Sequence, residues 1–188
     1  SLMALVKQLG GSWRQGVAAA ALVGVSYFFF MMTRRLMMDG PMLAMITLAT
    51  FSLAKRSAIG FGVFSGLAVM MKGAAAGPLI LALCVFGFWD KRLTFKSLIQ
   101  AGGLGLLIAA PWHLQQWMSH GSEFWSGYLG HHVVERASSQ VVPGSSLTES
   151  LQLLMSYEPI IFLGSAIGLI AFVRRRGHDS VGRLGLCL

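Results

Sequence analysis

The chain has 188 residues, of which 55% are hydrophobic and 12% are charged, and its mean hydropathy is +0.66. These values exclude a soluble globular domain and a disordered chain, and they predict a membrane protein. The net charge of +8 would suggest a nucleic-acid partner in a soluble protein, but here the cations lie between apolar segments, where anionic membrane lipids account for them, and we expect no nucleic-acid partner.

Apolar segments divided by short polar gaps predict an all-α fold, a polytopic transmembrane bundle of about six helices. In chain order the predicted spans are residues 17–32, 41–54, 58–71, 77–89, 98–112 and 151–173. The second, third and fourth are shorter than the roughly 20 residues that a bilayer requires, which indicates packed helical hairpins. Six glycines are predicted to make close contacts between helices: Gly60, Gly62, Gly66, Gly102, Gly103 and Gly105.

The longest polar stretch, residues 113–149, separates the last two predicted spans. Its aromatic residues, among them Trp117, Trp125 and Tyr128, indicate an amphipathic helix at the outer interface of the membrane, followed by a loop on the same side. The apolar pattern of residues 2–9 is typical either of an interfacial helix or of the tail of a preceding span, and we favour the tail. We therefore expect the chain to be the middle part of a longer protein.

The basic residues predict the orientation of the bundle, because cytoplasmic loops of membrane proteins are enriched in lysine and arginine. Placing the gap that contains Lys55 and Arg56 inside puts both ends of the chain on the cytoplasmic side, with most of its 15 basic residues. Four cations remain outside: Arg34, Arg35, Lys72 and Arg136. These cations are candidate functional residues, together with other polar residues of the outer side: Asp39, His113, His120, Glu123, His131, His132 and Glu135.

Asp39 precedes Gly40 and Pro41 at the outer end of the second predicted span, and Arg34 and Arg35 end the first. One interpretation is structural: Asp39 caps a helix, and the arginines complement the dipole of a helix C-terminus. The other is an outer pocket in which a guanidinium group binds a phosphate in bidentate geometry. The sequence leaves both interpretations open.

Lys72, followed by Gly73, ends the third predicted span. A lysine in the last turn before a glycine is an ordinary helix stop. The same lysine also lies next to apolar residues on the side where cations are few, and an ionisable group at such a depth indicates a functional site. The two interpretations carry equal weight.

His131 and Glu135 are four residues apart and could flank a divalent metal ion, but an interfacial helix can carry both residues simply as its polar face. A metal site is therefore one of two alternatives. Only one of the adjacent His131 and His132 would share a helix face with Glu135 or Arg136. The sequence contains no nucleotide-binding, hydrolase or zincin motif, and its predicted spans are almost uncharged, which favours chemistry or binding at the outer rim.

Five short motifs, in this order, resemble those of the polytopic GT-C glycosyltransferases of the protein O-mannosyltransferase and lipid A aminoarabinose transferase type. They are RRLMMDGP at 34–41, GLAVMMKG at 66–73, APW at 110–112, HG at 120–121 with Phe124, and HHVVER at 131–136. The resemblance implies a transferase of the bacterial inner membrane, of which residues 1–188 are part of the transmembrane domain. It would move a sugar from a polyprenyl-phosphate carrier to a lipid, glycan or protein acceptor on the periplasmic face.

The resemblance also implies roles for individual residues. The carrier phosphate would contact Arg34 or Arg35, Lys72 and Arg136, with Asp39, His132 and Glu135 as supporting residues and His131 as a metal ligand. The catalytic aspartate of the family lies in an earlier outer loop that no residue here matches, so no catalytic residue is assigned and we expect the chain to be inactive by itself. Three family positions differ, with Ala74 for a proline, Ala137 for an aromatic residue and Val133 for a histidine, and the last weakens the metal assignment.

Two further functions remain open from the residues. A lipid-phosphate flippase or transporter subunit would use the same outer cations to bind a head group without breaking a bond. An internal inverted repeat would favour this function, and the sequence shows none. A membrane scaffold would tolerate the loss of the outer charges without consequence.

Overall fold

The structure, a computed structural model, describes residues 2–35, 37–128, 147–159 and 161–164. In these residues it contains helices and turns and no strand, which confirms the all-α fold class. The helices are α1 (Leu2–Gln8), α2 (Trp13–Val25), α3 (Tyr27–Arg34), α4 (Asp39–Ala54), α5 (Ala58–Lys72), α6 (Gly77–Trp89), α7 (Phe95–Trp125) and α8 (Leu147–Tyr157), with a 3-10 turn, Gly73–Ala76, between α5 and α6.

Four helices begin after a serine or threonine whose hydroxyl accepts a hydrogen bond from a backbone N–H of the first turn. These residues are Ser12, Ser26, Ser57 and Thr94. Ser26 does so inside the first predicted span, residues 17–32, which is therefore broken into α2 and α3. The break was not predicted because the apolar run continues through it, and a serine can also lie inside a helix with its hydroxyl bonded to the carbonyl four residues earlier.

The polypeptide reverses direction between α5 and α6. Gly73 has a positive φ of 59°, a conformation that glycine adopts readily and other residues rarely do, and it ends α5. The 3-10 turn follows, and Pro78 lies in the first turn of α6, where its missing N–H costs no hydrogen bond. The far end of α6 returns to the start of α5, since Gly87 packs against Leu53, which lies just before the loop into α5.

Helix α5 packs between α4 and α7 through its glycines. Cβ atoms at Gly62 and Gly66 would overlap the backbone of α7 at Ala101 and Gly105, and one at Gly60 would lie 2.6 Å from the Ser52 hydroxyl of α4. These contacts confirm the prediction for Gly60, Gly62, Gly66 and Gly105. The prediction is wrong for Gly102 and Gly103, since a Cβ at either would meet no described atom within 4 Å, because these two glycines lie on other faces of α7.

Pairs of charged residues lie at the two ends of this bundle. At one end the Arg92 guanidinium donates a hydrogen bond of 2.8 Å to the Ala54 carbonyl and another of 2.6 Å to the Asp90 carboxylate. At the opposite end Lys72 pairs with Asp39. The four largest fully buried side chains, Leu53, Phe61, Leu83 and Phe86, lie on α4, α5 and α6 toward the Arg92 end. The Lys72 end is more open.

By length and composition alone, two helical runs of the described chain suffice to cross a membrane, Phe95–Tyr128 and Ala58–Trp89, and Asp39–Ala54 is a shorter apolar helix. The run Ala58–Trp89 is folded back at Gly73 into α5 and α6. In the most apolar windows of the two runs only 11% and 17% of the residues, respectively, are buried, so these runs are not the core helices of a globular protein. Large apolar side chains such as Leu106 and Leu107 on α7 are 70% exposed, as expected for a surface that faces lipid. By length and composition, these runs fit a membrane environment.

The prediction of about six spans is not met by the described residues. Helices α2, α4, α5 and α6 have 13 to 16 residues, or about 20–24 Å of helix, which is less than the thickness of a bilayer core. The predicted bounds 58–71 and 77–89 nevertheless match α5 and α6 closely. The sixth predicted span, residues 151–173, overlaps α8 and extends beyond the described residues.

Helix α7 does not end at Trp112, where the fifth span was predicted to end. It continues through Pro111 to His120, is interrupted at Gly121, which has a φ of 57°, and resumes to Trp125. The predicted interfacial segment, residues 113–149, is therefore continuous with α7 in its first part. The reason is that proline removes one backbone hydrogen bond and bends a helix but need not end it.

Candidate functional site

The candidate site lies at the open end of the bundle, where α4 begins and α5 ends. The Lys72 Nζ donates a hydrogen bond to Asp39 Oδ1 and forms an ion pair with it. The two side chains are partly exposed, at 35% for Lys72 and 21% for Asp39. A lysine and an aspartate 33 residues apart in sequence therefore meet because α4 and α5 are antiparallel neighbours.

Asp39 does not cap α4, so the structural interpretation of this residue is wrong. The N-cap position is Met38, without a side-chain hydrogen bond, and Asp39 is already in the first turn of the helix. Its carboxylate favours that helix N-terminus through the dipole and is directed to Lys72. The ion pair, rather than a cap, explains its position.

A cavity of about 390 Å³ lies beside Lys72. The end of α5 and the following turn form one side of it, from Val69 to Ala75, and Trp112 and Tyr128 form the other. The lining thus combines one cation, backbone polar groups of a turn, and two aromatic side chains, each with a polar atom. Such a lining suits a ligand with an anionic group and a largely apolar remainder.

Tyr128 packs directly on the turn that follows Lys72. A Cβ at Gly73 would lie 2.8 Å from the Tyr128 hydroxyl, so only a glycine permits this approach. The ring of Tyr128 is therefore held against the turn from which the Lys72 side chain projects.

His113 holds the Tyr128 hydroxyl from the other side. Its Nδ1 lies 2.8 Å from the Ala109 carbonyl oxygen and its Nε2 lies 2.9 Å from the Tyr128 hydroxyl oxygen. Because a carbonyl oxygen only accepts, Nδ1 carries the proton, and in the neutral ring Nε2 accepts the hydrogen bond that the Tyr128 hydroxyl donates.

An aromatic cluster surrounds this contact. The interruption at Gly121 turns the end of α7 back on itself, so that Phe124 and Tyr128 stand against His113, with ring centroids 6.2 and 5.2 Å from the imidazole. Trp112 packs edge-on against His113 at 4.8 Å. Edge-to-face packing of this kind favours one arrangement of the rings over others.

A second cavity of about 330 Å³ adjoins the site on the side of Asp39. Except for Ser26 and Asp39 its lining is glycine and apolar side chains from α2, α3, α4 and the segment after α8: Val23, Phe29, Gly40, Met42, Leu43 and Ile161. Asp39 borders this apolar cavity and Lys72 borders the more polar one, so the ion pair stands between them.

Arg34 and Arg35 are exposed at the end of α3. Neither is among the residues that line the two cavities. The structure therefore brings together Lys72 and Asp39 of the predicted residues and leaves both arginines at the edge.

The other predicted site residues lie outside the described residues: His131, His132, Glu135 and Arg136. The predicted metal ligand, His131, is among them. Within the described ranges, no group of three or more His, Cys, Asp and Glu side chains is placed to hold a metal ion.

Sequence analysis did not assign Trp112 and Tyr128 to the site. Both were noted, as the end of a span and as part of an interfacial helix, but their common cavity with Lys72 depends on the turns at Gly73 and Gly121. In the sequence, Gly121 was the one sign of this turn, since a glycine can adopt the positive φ that folds the chain back before the aromatic residues.

In comparisons with known proteins, no family model, curated protein or solved structure matches this chain.

Proposed function

We propose that the protein belongs to a bacterial inner-membrane glycosyltransferase of the GT-C type, which transfers a sugar from a polyprenyl-phosphate carrier to a lipid, glycan or protein acceptor at the periplasmic face. The observation that carries the proposal is Lys72, a cation at the border of a 390 Å³ cavity with aromatic walls, at the end of an apolar bundle. The order of the five motifs, RRLMMDGP to HHVVER, supports it.

In this reaction the bond between the anomeric carbon of the sugar and the phosphate oxygen breaks, and the electron pair leaves with the carrier phosphate. A nucleophilic oxygen or nitrogen of the acceptor forms the new bond to the anomeric carbon and loses a proton to a base. The negative charge that develops on the phosphate is stabilised by fixed cations in a site with little water. We assign that role to Lys72, with Arg136 and one of Arg34 and Arg35 as further cations, and assign the base to no residue of this chain.

The position of Lys72 suits this role physically. Its ammonium group is a point charge on a flexible stem, which accommodates a phosphate without a fixed orientation. The adjoining apolar cavity of about 330 Å³ offers a surface for hydrocarbon next to the charged group. A polyprenyl phosphate combines these two features in one molecule, and exposed apolar helices such as α7 give it access from the lipid phase.

Binding of radiolabelled undecaprenyl phosphate to the purified chain in detergent tests the site. We expect saturable binding by the wild type and a loss of about tenfold or more in Lys72→Met, because a charge-assisted hydrogen bond contributes about 1.5–3 kcal/mol. Arg136→Ala should also weaken binding. The control is Lys55→Met, at the opposite end of the bundle, where the ammonium group lies 4.5 Å from the centre of the Phe51 ring. Equal affinity in the wild type and Lys72→Met would overturn the assignment.

Bond breaking distinguishes a transferase from a flippase. Membranes from cells that express the complete gene would be given a donor with a labelled sugar, and free undecaprenyl phosphate would be measured. Its release together with a labelled acceptor supports the transferase. Movement of the intact donor across the membrane without release would support a lipid-phosphate flippase instead.

A further inference from the structure

His113 is the residue of the candidate site whose contacts are most fully specified, and sequence motifs assign it no role. Both ring nitrogens have partners, Ala109 on its own helix and Tyr128 beyond the break at Gly121. Three aromatic rings, Trp112, Phe124 and Tyr128, lie edge-on to the imidazole. The imidazole is therefore confined in one orientation and one tautomer.

The partner of His113 is the residue that walls the Lys72 cavity. Tyr128 lines that cavity, and its hydroxyl lies against the turn at Gly73. The hydroxyl donates to His113 Nε2, and this hydrogen bond holds the ring in place against the turn at Gly73. The shape of the cavity beside Lys72 thus depends on a hydrogen bond between His113 and Tyr128, which are 15 residues apart along the chain.

We propose that His113 is a positioning residue for the Lys72 site: by accepting the hydrogen bond of the Tyr128 hydroxyl, it holds the Tyr128 ring as the wall of the cavity that receives the phosphate of a lipid carrier. The identity of the ligand rests on the proposed function, whereas the positioning itself rests on the hydrogen bonds of His113 to the Ala109 carbonyl and to the Tyr128 hydroxyl. His113 does not itself touch the ligand and acts on the cavity by holding Tyr128. Its loss enlarges and loosens the cavity without removing the cation.

The test compares undecaprenyl phosphate binding by the full chain in detergent for His113→Phe and Tyr128→Phe. Each keeps a ring in place but removes one end of the hydrogen bond, and each should weaken binding about threefold to tenfold. The double variant should bind no more weakly than the weaker single variant, because both changes break the same bond. His113→Gln, whose side-chain oxygen accepts from a hydroxyl, should recover part of the affinity.

His120→Phe is the matched control. His120 contacts the Gln116 carbonyl, four residues earlier, in the same way that His113 contacts the Ala109 carbonyl, but it is exposed and has no tyrosine partner in the described residues. We expect unchanged binding. Circular dichroism and thermal unfolding of every variant would separate misfolding from a loss of affinity.

A spectroscopic measurement tests positioning independently of the ligand. The ¹⁵N shifts of His113 should report an Nδ1–H tautomer in the wild type, and the Nε2 shift should move in Tyr128→Phe. Additive effects of the two substitutions, or an unchanged Nε2 shift, would overturn the inference. If Lys72→Met lowers the affinity and His113→Phe does not, the positioning role fails while the phosphate site stands; if Lys72→Met has no effect, the proposed function fails first.

Discussion

Lys72, the last residue of α5, and Asp39, in the first turn of α4, form an ion pair that stands between the two cavities of the open end of the bundle. The carboxylate occupies the position next to the ammonium group that an anionic ligand would need. A phosphate that binds Lys72 must therefore compete with Asp39 or share the lysine with it. Lys72 would thus bind the phosphate, whereas Asp39 would oppose that binding.

We predict that Asp39→Asn does not reduce undecaprenyl phosphate binding and raises the affinity a few fold, because the competing negative charge is removed. The free energy of unfolding should fall by no more than about 1 kcal/mol, since a partly exposed ion pair contributes little. Equilibrium binding and denaturant unfolding in detergent check the two expectations. A loss of affinity as large as that of Lys72→Met would mean that Asp39 is needed to place the lysine.

The glycine contacts of α5 predict different effects on stability for three glycine-to-alanine substitutions. Gly62→Ala and Gly66→Ala should each destabilise the protein by about 1–3 kcal/mol, because the new methyl groups overlap the backbone of α7. Gly103→Ala introduces a methyl group with no described atom within 4 Å. It should be neutral or stabilising by up to about 1 kcal/mol, since alanine favours the helix. Thermal unfolding compares the three, and equal effects would contradict the packing described here.

We predict that Arg92 stabilises the end of the bundle opposite Lys72 through the geometry of its hydrogen bonds as well as through its charge. Its side chain is 13% exposed and bonds both the Ala54 carbonyl and the Asp90 carboxylate. Arg92→Lys keeps the charge but cannot make both bonds in the same geometry, and it should cost about 1–3 kcal/mol of unfolding free energy. Arg14→Lys, at an exposed position on α2, should change stability by less than about 0.5 kcal/mol. If the two substitutions cost the same, Arg92 acts only through its charge.

Ser26 and Ser57 offer a comparison between two helix caps. Each accepts a hydrogen bond from a first-turn N–H, but the buried Ser26 hydroxyl also donates to the buried Glu158 carboxylate at 2.6 Å. Ser57→Ala should cost about 1 kcal/mol as the loss of a cap. Ser26→Ala should cost about 1 kcal/mol or more beyond that, since a buried carboxylate loses a donor. Denaturant unfolding of both variants, at the same pH, measures the difference.

The extent of α5 and α6 could be predicted from sequence because local signals mark both ends. Ser57 caps α5, the Gly73 turn divides the two helices, and Pro78 opens α6. The end of α7 could not be predicted in this way. The fifth span was predicted to end at Trp112, but the helix continues past Pro111, because a proline only bends a helix whose neighbours support it, and α5 packs along this one.

The sequence by itself determined that the chain is helical and apolar, with its charges between apolar segments, because composition and the spacing of apolar residues act within a few residues of each other. It also identified Lys72 and Asp39 as unusual. Only the tertiary structure decided that these two residues pair, that Trp112 and Tyr128 wall the cavity beside them, and that His113 holds Tyr128. Contacts between residues 15 to 33 positions apart depend on how helices pack and where the chain turns, and no local pattern encodes those distances.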